Sequence, residues 1–418
     1  MKGMEDIMAT IRPFRCVRPT ADVAGRVAAL PYDVYNRQEA KAEVQKEPLS
    51  FLKIDRAETG FPDSVDPYAP EVYQRARELL QKEIADGIYT RDEDSAYYVY
   101  ELTMDGRAQT GLAACAAVDD YLNNVIKKHE NTREDKEQDR ITHVDTCNAQ
   151  TGPIFLAYRS NEIVNRVVGQ VKQEEPLYDF TASDGIGHRV WKISDSAKVE
   201  AVQQAFAQIE QIYIADGHHR AASAVKVGLK RREEHIGYDG TEEFNYFLSV
   251  LFPHDQLMIM DYNRTVKDLN GLTKEEFFQK VSEHFHMEKS MKPVRPGRKG
   301  TFGMYLEGQW YCLTAQDALF EGKDAVGSLD VSVLQDYLLA PVLGIGDPRT
   351  DTRIDFVGGI RGLEELERRA EEDMKVSFSL YPTSITELFD VADQKLLMPP
   401  KSTWFEPKLR SGLFIHEI

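Results

Sequence analysis

Apolar and polar residues alternate over positions 211–215, where Gln211-Ile-Tyr-Ile-Ala215 is β-branched and aromatic, so the pattern predicts a short buried strand. From His218 onward the chain turns to good helix formers, with Ala221, Ala222, Ala224 and Val225 small enough to pack closely. Asp216-Gly217 stands between them as a sharp turn from strand to helix. Further strands are predicted at 11–17 and 51–54, with a turn at 30–33 where Pro31 restricts its predecessor. Residues 67–86 place Val72, Ala76, Leu79, Leu80 and Ile84 at helical spacing, and Gly87 stops that helix. Alternating runs at 96–103 and 111–118 flank Met104-Asp105-Gly106, a hairpin signal.

Farther along, the patterns predict a strand at 153–158, a helix at 199–209 and a core strand at 244–252 whose sheet continues through 258–260. A helix over 273–285 opens with Thr273 and, three residues on, Glu276, the spacing of a capping box. Residues 301–314 form a hairpin through Glu307-Gly308, and 330–343 an apolar helix capped by Asp330. Helices at 363–374 and 384–392 enclose a strand at 376–381. Strands, hairpins and helices in this order predict an α+β fold, mixed sheets with packed helices, rather than regular βαβ repeats. The Pro-, Gly- and basic-rich stretch 291–300 marks a boundary between a main α+β domain, 1–290, and a C-terminal α+β region, 291–418, that could complete the same site.

The strand–turn–helix junction is where chemistry is expected. Gly217 can take backbone conformations closed to other residues and lets a ligand approach the main chain. The first helical turn leaves N–H groups unpaired at the positive end of the helix dipole, a ready anion site. Arg220 adds a planar charged fork suited to phosphate, and His218 and His219 add donors. The same spacing also fits an N-cap aspartate and a surface arginine, so both readings stand at this point.

A second candidate is 127–140, which holds no apolar residue. His129, Arg133, Lys136, Arg140 and His143 recur at intervals of four, three, four and three, one basic stripe if the segment is helical, with Lys128 beside it. Glu130, Glu134 and Glu137 form an acidic stripe alongside. A solvated helix laced with weak ion pairs fits this pattern. So does a helix lining an anionic pocket, with Glu130 or His129 as proton acceptor. Asp184-Gly-Ile-Gly-His188-Arg189 echoes the central box but precedes a strand, so a hairpin turn is expected there. In the C-terminal region, Arg349 and Arg353 could clamp an anion, and Asp347, Asp351 or Asp355 could hold Mg²⁺. Lys401, Ser402 and Thr403 follow Met398-Pro-Pro in a stiff loop suited to phosphate or carboxylate. The P-loop, dinucleotide, zinc-protease and nucleophile-elbow signatures are all missing, so any nucleotide chemistry falls to the central box.

The Asp216-Gly-His-His-Arg220 box resembles the signature box of the ParB/sulfiredoxin-like superfamily. That group includes chromosome-partition CTPases, sulfiredoxins and free-serine kinases, and in it the box cradles nucleotide phosphates. Over its full length the chain resembles the bacterial and archaeal family catalogued as domain of unknown function 1015. Ile11-Arg-Pro-Phe-Arg15, Leu30-Pro-Tyr-Asp-Val34, Ser50-Phe-Leu-Lys-Ile-Asp55-Arg56, residues 129–153 and Met398-Pro-Pro-Lys-Ser-Thr403 carry that likeness. The resemblance implies a ParB/sulfiredoxin-like nucleotide-binding core and a small-molecule phosphotransferase using ADP or ATP with Mg²⁺. Free serine or a similar hydroxyl metabolite would be the acceptor, or phosphoserine the substrate of the reverse or phosphatase reaction. In that scheme Gly217 and the amides of His218 and His219 hold phosphate, Arg220 stabilises the transferring group, and Asp216 orients the hydroxyl or the metal. Glu130 is the candidate base, although the kinases' catalytic glutamate matches no position here by motif. A CTP-type regulator without turnover and a ParB-like nuclease are the other classes the resemblance admits.

Composition narrows these. Among 418 residues, 51 basic and 69 acidic side chains give a net charge of −18, which opposes nucleic acid as the main partner. A local positive pocket for a small anion or amino acid remains compatible with that surface. The four cysteines, Cys16, Cys115, Cys147 and Cys312, form no metal-type pair and read as buried thiols of a reducing compartment. No apolar run approaches the ~18 residues of a membrane span, and residues 1–6 do not begin a signal peptide, so a cytoplasmic protein, with a homodimer open to it, is expected.

Overall fold

The alternating segment forms the strand Ile212–Asp216, and the run after it forms a helix of 17 residues, His218–Glu234. These come from a computed structural model that describes residues 8–418; the stretch 1–6 read against a signal peptide lies outside the described residues. The chain is α+β and divides into two compact units, Met1–Leu257 with Pro407–Ile418, and Met258–Glu406.

In the first unit the described residues form a nine-stranded mixed sheet. Its order is Ile126–Lys127, Ile212–Asp216, Ile154–Tyr158, Tyr246–Pro253, Arg107–Ala117, Tyr97–Met104, Gly187–Ile193 and Tyr178–Thr181, with Ile11–Arg12 also paired to Arg107–Ala117. Ile212–Asp216 runs parallel to Ile126–Lys127 and antiparallel to Ile154–Tyr158, which runs parallel to Tyr246–Pro253. One face buries Leu112, Leu156, Ile214, Phe247 and Leu251 with Val164, Val167, Val202 and Phe206 of the helices Glu162–Val171 and Ser196–Phe206. Each such side chain contributes about 2 kcal/mol relative to exposure. A second, antiparallel sheet joins Tyr89–Arg91, Cys16–Pro19, Ile415–Glu417 and Ala149–Gln150, so the last strand of the chain is built into the first unit. The helix Glu134–Cys147 packs against both His218–Glu234 and Pro70–Ala85.

The second unit holds an antiparallel six-stranded sheet in the order Phe285–Ser290, Gln309–Ala315, Thr301–Leu306, Val376–Leu380, Tyr262–Val266, Ile354–Gly358. The stretch 291–300 lies inside this unit, between two of its strands. The units divide after Leu257 and after Glu406 rather than at 290, because Tyr262–Val266 pairs with strands that come later in the chain.

Both expected hairpins form: Asp105 and Gly106 turn at φ 51° and 77°, Glu307 and Gly308 at 51° and 76°, the left-handed pair that a tight hairpin demands. The Thr273–Glu276 capping box is present at the helix Lys274–Val281. Asp184 and Gly185 sit in the turn between Tyr178–Thr181 and Gly187–Ile193, as a hairpin requires. Elsewhere the local pattern misleads. Residues 51–54 lie on a helical turn, Leu52–Asp55, because Phe51, Leu52 and Ile54 all bury and the Arg56 N–H bonds the Leu52 carbonyl; four apolar-rich residues carry no period. Arg37–Lys46 is a helix opened by an Asn36–Glu39 capping box, in a stretch where the apolar pattern predicts no element. Asp330 caps nothing: Leu329 holds the cap position, and the Asp330 carboxylate accepts the Gly300 N–H at 2.9 Å. Met258–Met260 leaves the first sheet and pairs with Trp404–Glu406. All four cysteines are free, with Cys312 only half-buried. Among the described residues no helix is long and apolar enough to cross a membrane.

Candidate functional site

The site starts where the strand Ile212–Asp216 breaks register with its neighbour, between Ile214 and Asp216. Gly217 then turns the chain with φ 90° and ψ 34°, left-handed backbone that glycine adopts without strain. The first intrahelical bond runs from the Ala221 N–H to the Gly217 carbonyl at 2.9 Å. The amides of His218, His219 and Arg220 precede it, at the positive end of the helix dipole. Arg220 folds back over this turn: a Cβ on Gly217 would lie 3.0 Å from its Nε and Nη2. Its Nη1 donates to the Pro153 carbonyl at 2.6 Å, which fixes the guanidinium beside the glycine.

Asp216 accepts the Gly217 N–H at 2.8 Å on Oδ1 and the Lys408 ammonium at 3.0 Å on Oδ2. Burial by itself would raise its pKa; the charges of Lys408 and Arg220 outweigh that and hold the carboxyl well below the usual range. His219 accepts the Arg133 N–H on Nε2 at 2.9 Å, which assigns its ring proton to Nδ1. Burial lowers its pKa against the pull of Glu130, Asp33 and Glu137. His218 is buried, pushed down to about 4 by desolvation, with Nδ1 3.6 Å from the Glu130 carboxylate. The His129 ring meets it edge-on at 4.5 Å and is pushed down to about 3, by burial first and by His218 next. Among the described residues neither His129 nitrogen makes a well-formed hydrogen bond, and Nε2 of His218 has no partner.

These two imidazoles set a pH dependence. An unfolded chain binds the protons near pH 6.5, whereas the folded one waits until about 4 and about 3. The folded bases are depressed, so their contribution is full above 6.5 and is lost as pH falls toward 4. By pH 5 the loss is roughly 2 kcal/mol per histidine. Urea unfolding at pH 7 and pH 5 should show it, and the His129→Gln/His218→Gln double variant should lose roughly 4 kcal/mol of the difference, to which other buried histidines such as His188, held at about 3, also contribute. An unchanged pH slope in that variant would refute the assignment.

Beside Arg220 lies a narrow cleft that also opens on Tyr32, Asp55, Arg140, His143, Thr151, Gly152 and Ser411. The structure thus brings together the box and part of the 129–153 stretch. Arg140 and His143 stand on the buried side of Glu134–Cys147, which is no solvated helix: Glu137, Asp139, Arg140 and His143 are all buried. The five-member basic stripe is a correction. The helix starts at Glu134, so His129 and Glu130 lie in the loop before it and Arg133 is its N-cap, because Ile126–Lys127 is drawn into the sheet beside Ile212–Asp216. Lys128 is exposed over the Tyr121 ring and Lys136 donates to Tyr68, so neither lines the cleft.

Arg349, Arg353, Lys401, Ser402 and Thr403 belong to the second unit. Arg349 pairs with Asp347 at 2.9 Å, and Arg353 with Asp351 at 3.1 Å and with the Leu343 and Gly344 carbonyls. Lys401 lies over the Tyr262 ring, and Ser402 donates to the Pro399 carbonyl at 2.6 Å. For Mg²⁺, Asp216 is engaged by Lys408, Asp347 and Asp351 by arginines, and Asp355 by Arg369. Among the described residues no three His, Cys, Asp or Glu side chains group to hold an ion. This donor set does not make a resident magnesium site.

Sequence reasoning passed over Lys408, Asp33, Tyr32, Asp55 and Ser411. Tyr32, Asp33 and Asp55 sit in segments whose family likeness was visible without their chemistry. Lys408 is a lone lysine 192 positions from Asp216, and nothing local marks it.

Residues 11–332 match the family model described as "Protein of unknown function (DUF1015)". No curated protein matches the chain. Among solved structures, a free serine kinase in complex with AMP is 15% identical, covering 72% of this chain and 92% of that one, with a TM-score of 0.34. A conserved hypothetical protein from Pyrococcus furiosus is 14% identical over 72% of this chain and 94% of that one, at 0.35. SbnI with C-terminal truncation from Staphylococcus aureus is 11% identical over 72% and 85%, at 0.38.

Proposed function

The chain belongs to the DUF1015 family, and on that premise we propose that it is a small-molecule phosphotransferase acting between a nucleotide and a hydroxyl acceptor. The observation that carries this reading is the Arg220 guanidinium held over the left-handed Gly217 at the start of the helix. Free amides, a dipole and a fixed guanidinium on one turn suit a transferring phosphoryl group, whose reaction runs on positioning and charge neutralisation. The unpartnered Nε2 of buried His218 supports it too, since such an orphan costs about 1–3 kcal/mol unless a ligand meets it. Serine is the first acceptor to test, from the likeness of the box to that of free-serine kinases.

In this reaction the acceptor oxygen forms a bond to the terminal phosphorus of ADP or ATP, and the bridging P–O bond breaks to release AMP or ADP. The hydroxyl proton passes to a carboxylate, Glu130 or Asp33, both of which act electrostatically on His219. Lys408 keeps Asp216 ionised, so Asp216 orients the Gly217 amide rather than taking the proton. Purified protein given serine, magnesium and ADP, ATP or CTP should make phosphoserine with one donor, and Asp216→Asn should slow it by about tenfold to a hundredfold. Tight nucleotide binding without product under any donor would replace this reading with that of a nucleotide-responsive regulator.

A further inference from the structure

The cleft beside Arg220 carries charges that phosphate binding does not use. Arg140 is 7% exposed, with its guanidinium stacked 4.0 Å over the Tyr32 ring. Its Nε and Nη2 hold Asp139 at 3.0 and 2.9 Å, and Asp139 is tied in turn by the Tyr73 hydroxyl at 2.9 Å. That clamp fixes the plane of the guanidinium, and Arg140 lines the cleft. Asp55, 4% exposed, accepts one hydrogen bond on Oδ1, from the Thr151 hydroxyl at 2.8 Å. Asp55 and Arg140 line the same cleft, so one cleft presents a fixed cation and a fixed anion.

Resting on the phosphotransfer reading, we infer that this cleft holds the head group of the acceptor, a zwitterionic α-amino acid with its carboxylate on Arg140 and its ammonium on Asp55. A plain anion would pair with Arg140 but meet the like charge of Asp55, and a plain amine would leave unused the guanidinium hydrogens that Asp139 does not take. An α-amino acid satisfies both from one carbon. Arg220 lines the same cleft and also covers Gly217, so a hydroxyl on the β-carbon of the bound amino acid is directed toward the phosphate turn. The Thr151 and Ser411 hydroxyls and the narrowness of the cleft suit a small polar ligand rather than a peptide.

Calorimetric titration of the full chain tests this with L-serine, glycerate, which lacks the ammonium, and ethanolamine, which lacks the carboxylate, each with and without ADP. L-serine should bind at least about tenfold tighter than either analogue, since each loses a charge-assisted bond to a buried partner. Asp55→Asn should weaken L-serine by about tenfold or more while glycerate, relieved of the like charge, binds at least as well as before. Arg140→Lys should weaken L-serine and glycerate while sparing ethanolamine. A merely structural ion cluster would shift all three ligands alike, and that result overturns the inference, as does equal binding of the three by wild-type protein or no L-serine binding at all. The wild-type ligand series needs no variant to fold. ADP binding without amino-acid discrimination sinks the inference alone; discrimination without ADP binding sinks the phosphotransfer reading alone.

Discussion

Replacing Arg220 with alanine should lower phosphoserine formation by about a thousandfold while the protein stays folded. The guanidinium is held in place before any ligand arrives: Nη1 is anchored on the Pro153 carbonyl, and Nε and Nη2 lie against the glycine that opens the helix. A charge fixed in advance costs nothing to reorient as negative charge develops on the transferring group, so its loss falls on turnover more than on binding. The side chain is only partly buried and makes one neutral hydrogen bond, so the urea midpoint should move little. Initial rates with the competent donor, beside a nucleotide titration, give the answer. A variant that keeps more than about a tenth of the wild-type rate would remove Arg220 from the reaction.

Gly217→Ala should damage both stability and nucleotide binding. At φ 90° an alanine pays about 1–3 kcal/mol of backbone strain. The added methyl also arrives 3.0 Å from two guanidinium nitrogens, tighter than carbon normally sits, so Arg220 must leave its position over the turn. Urea unfolding should register about 1–2 kcal/mol of lost stability, and ADP affinity should fall by about tenfold or more through the displaced amides and guanidinium. Gly152→Ala is the useful contrast, since its methyl would crowd the Ser411 hydroxyl at 3.1 Å but meet Arg220 no closer than 3.6 Å, at ordinary φ. Equal effects from the two substitutions would show that local crowding, not the left-handed turn, is what matters.

The strand, the turn and the long helix of the box could be read from the chain because each is set by neighbours in sequence: alternation, a glycine, then a run of helix formers. The same holds for the two hairpins and the Thr273 capping box. What could not be read were features decided by distant partners. Residues 127–133 have no local preference, so pairing of Ile126–Lys127 with the central strand decided that they would not be helical. Asp330 has the sequence of a cap, yet its carboxylate serves Gly300, thirty positions away. In the site, Gly217 and Arg220 announce themselves, whereas Asp55, Tyr32 and Lys408 acquire meaning only once three remote segments converge on the helix His218–Glu234.

Arg410 pairs with Asp184 and donates to His188 at 3.3 Å, and His188 meets the Tyr100 hydroxyl at 2.8 Å. This knot secures the segment that carries Lys408 and Ser411 into the first unit. On a ribosome those residues emerge only after all of 258–406 has been made. The nascent first unit therefore waits, with the Asp216 carboxylate lacking its ammonium and the second sheet lacking the strand Ile415–Glu417. Completion of the Asp216–Gly217 turn is thereby tied to synthesis of residues 407–418, and a chain stalled before them carries the strand, turn and helix without the ammonium that pairs with Asp216.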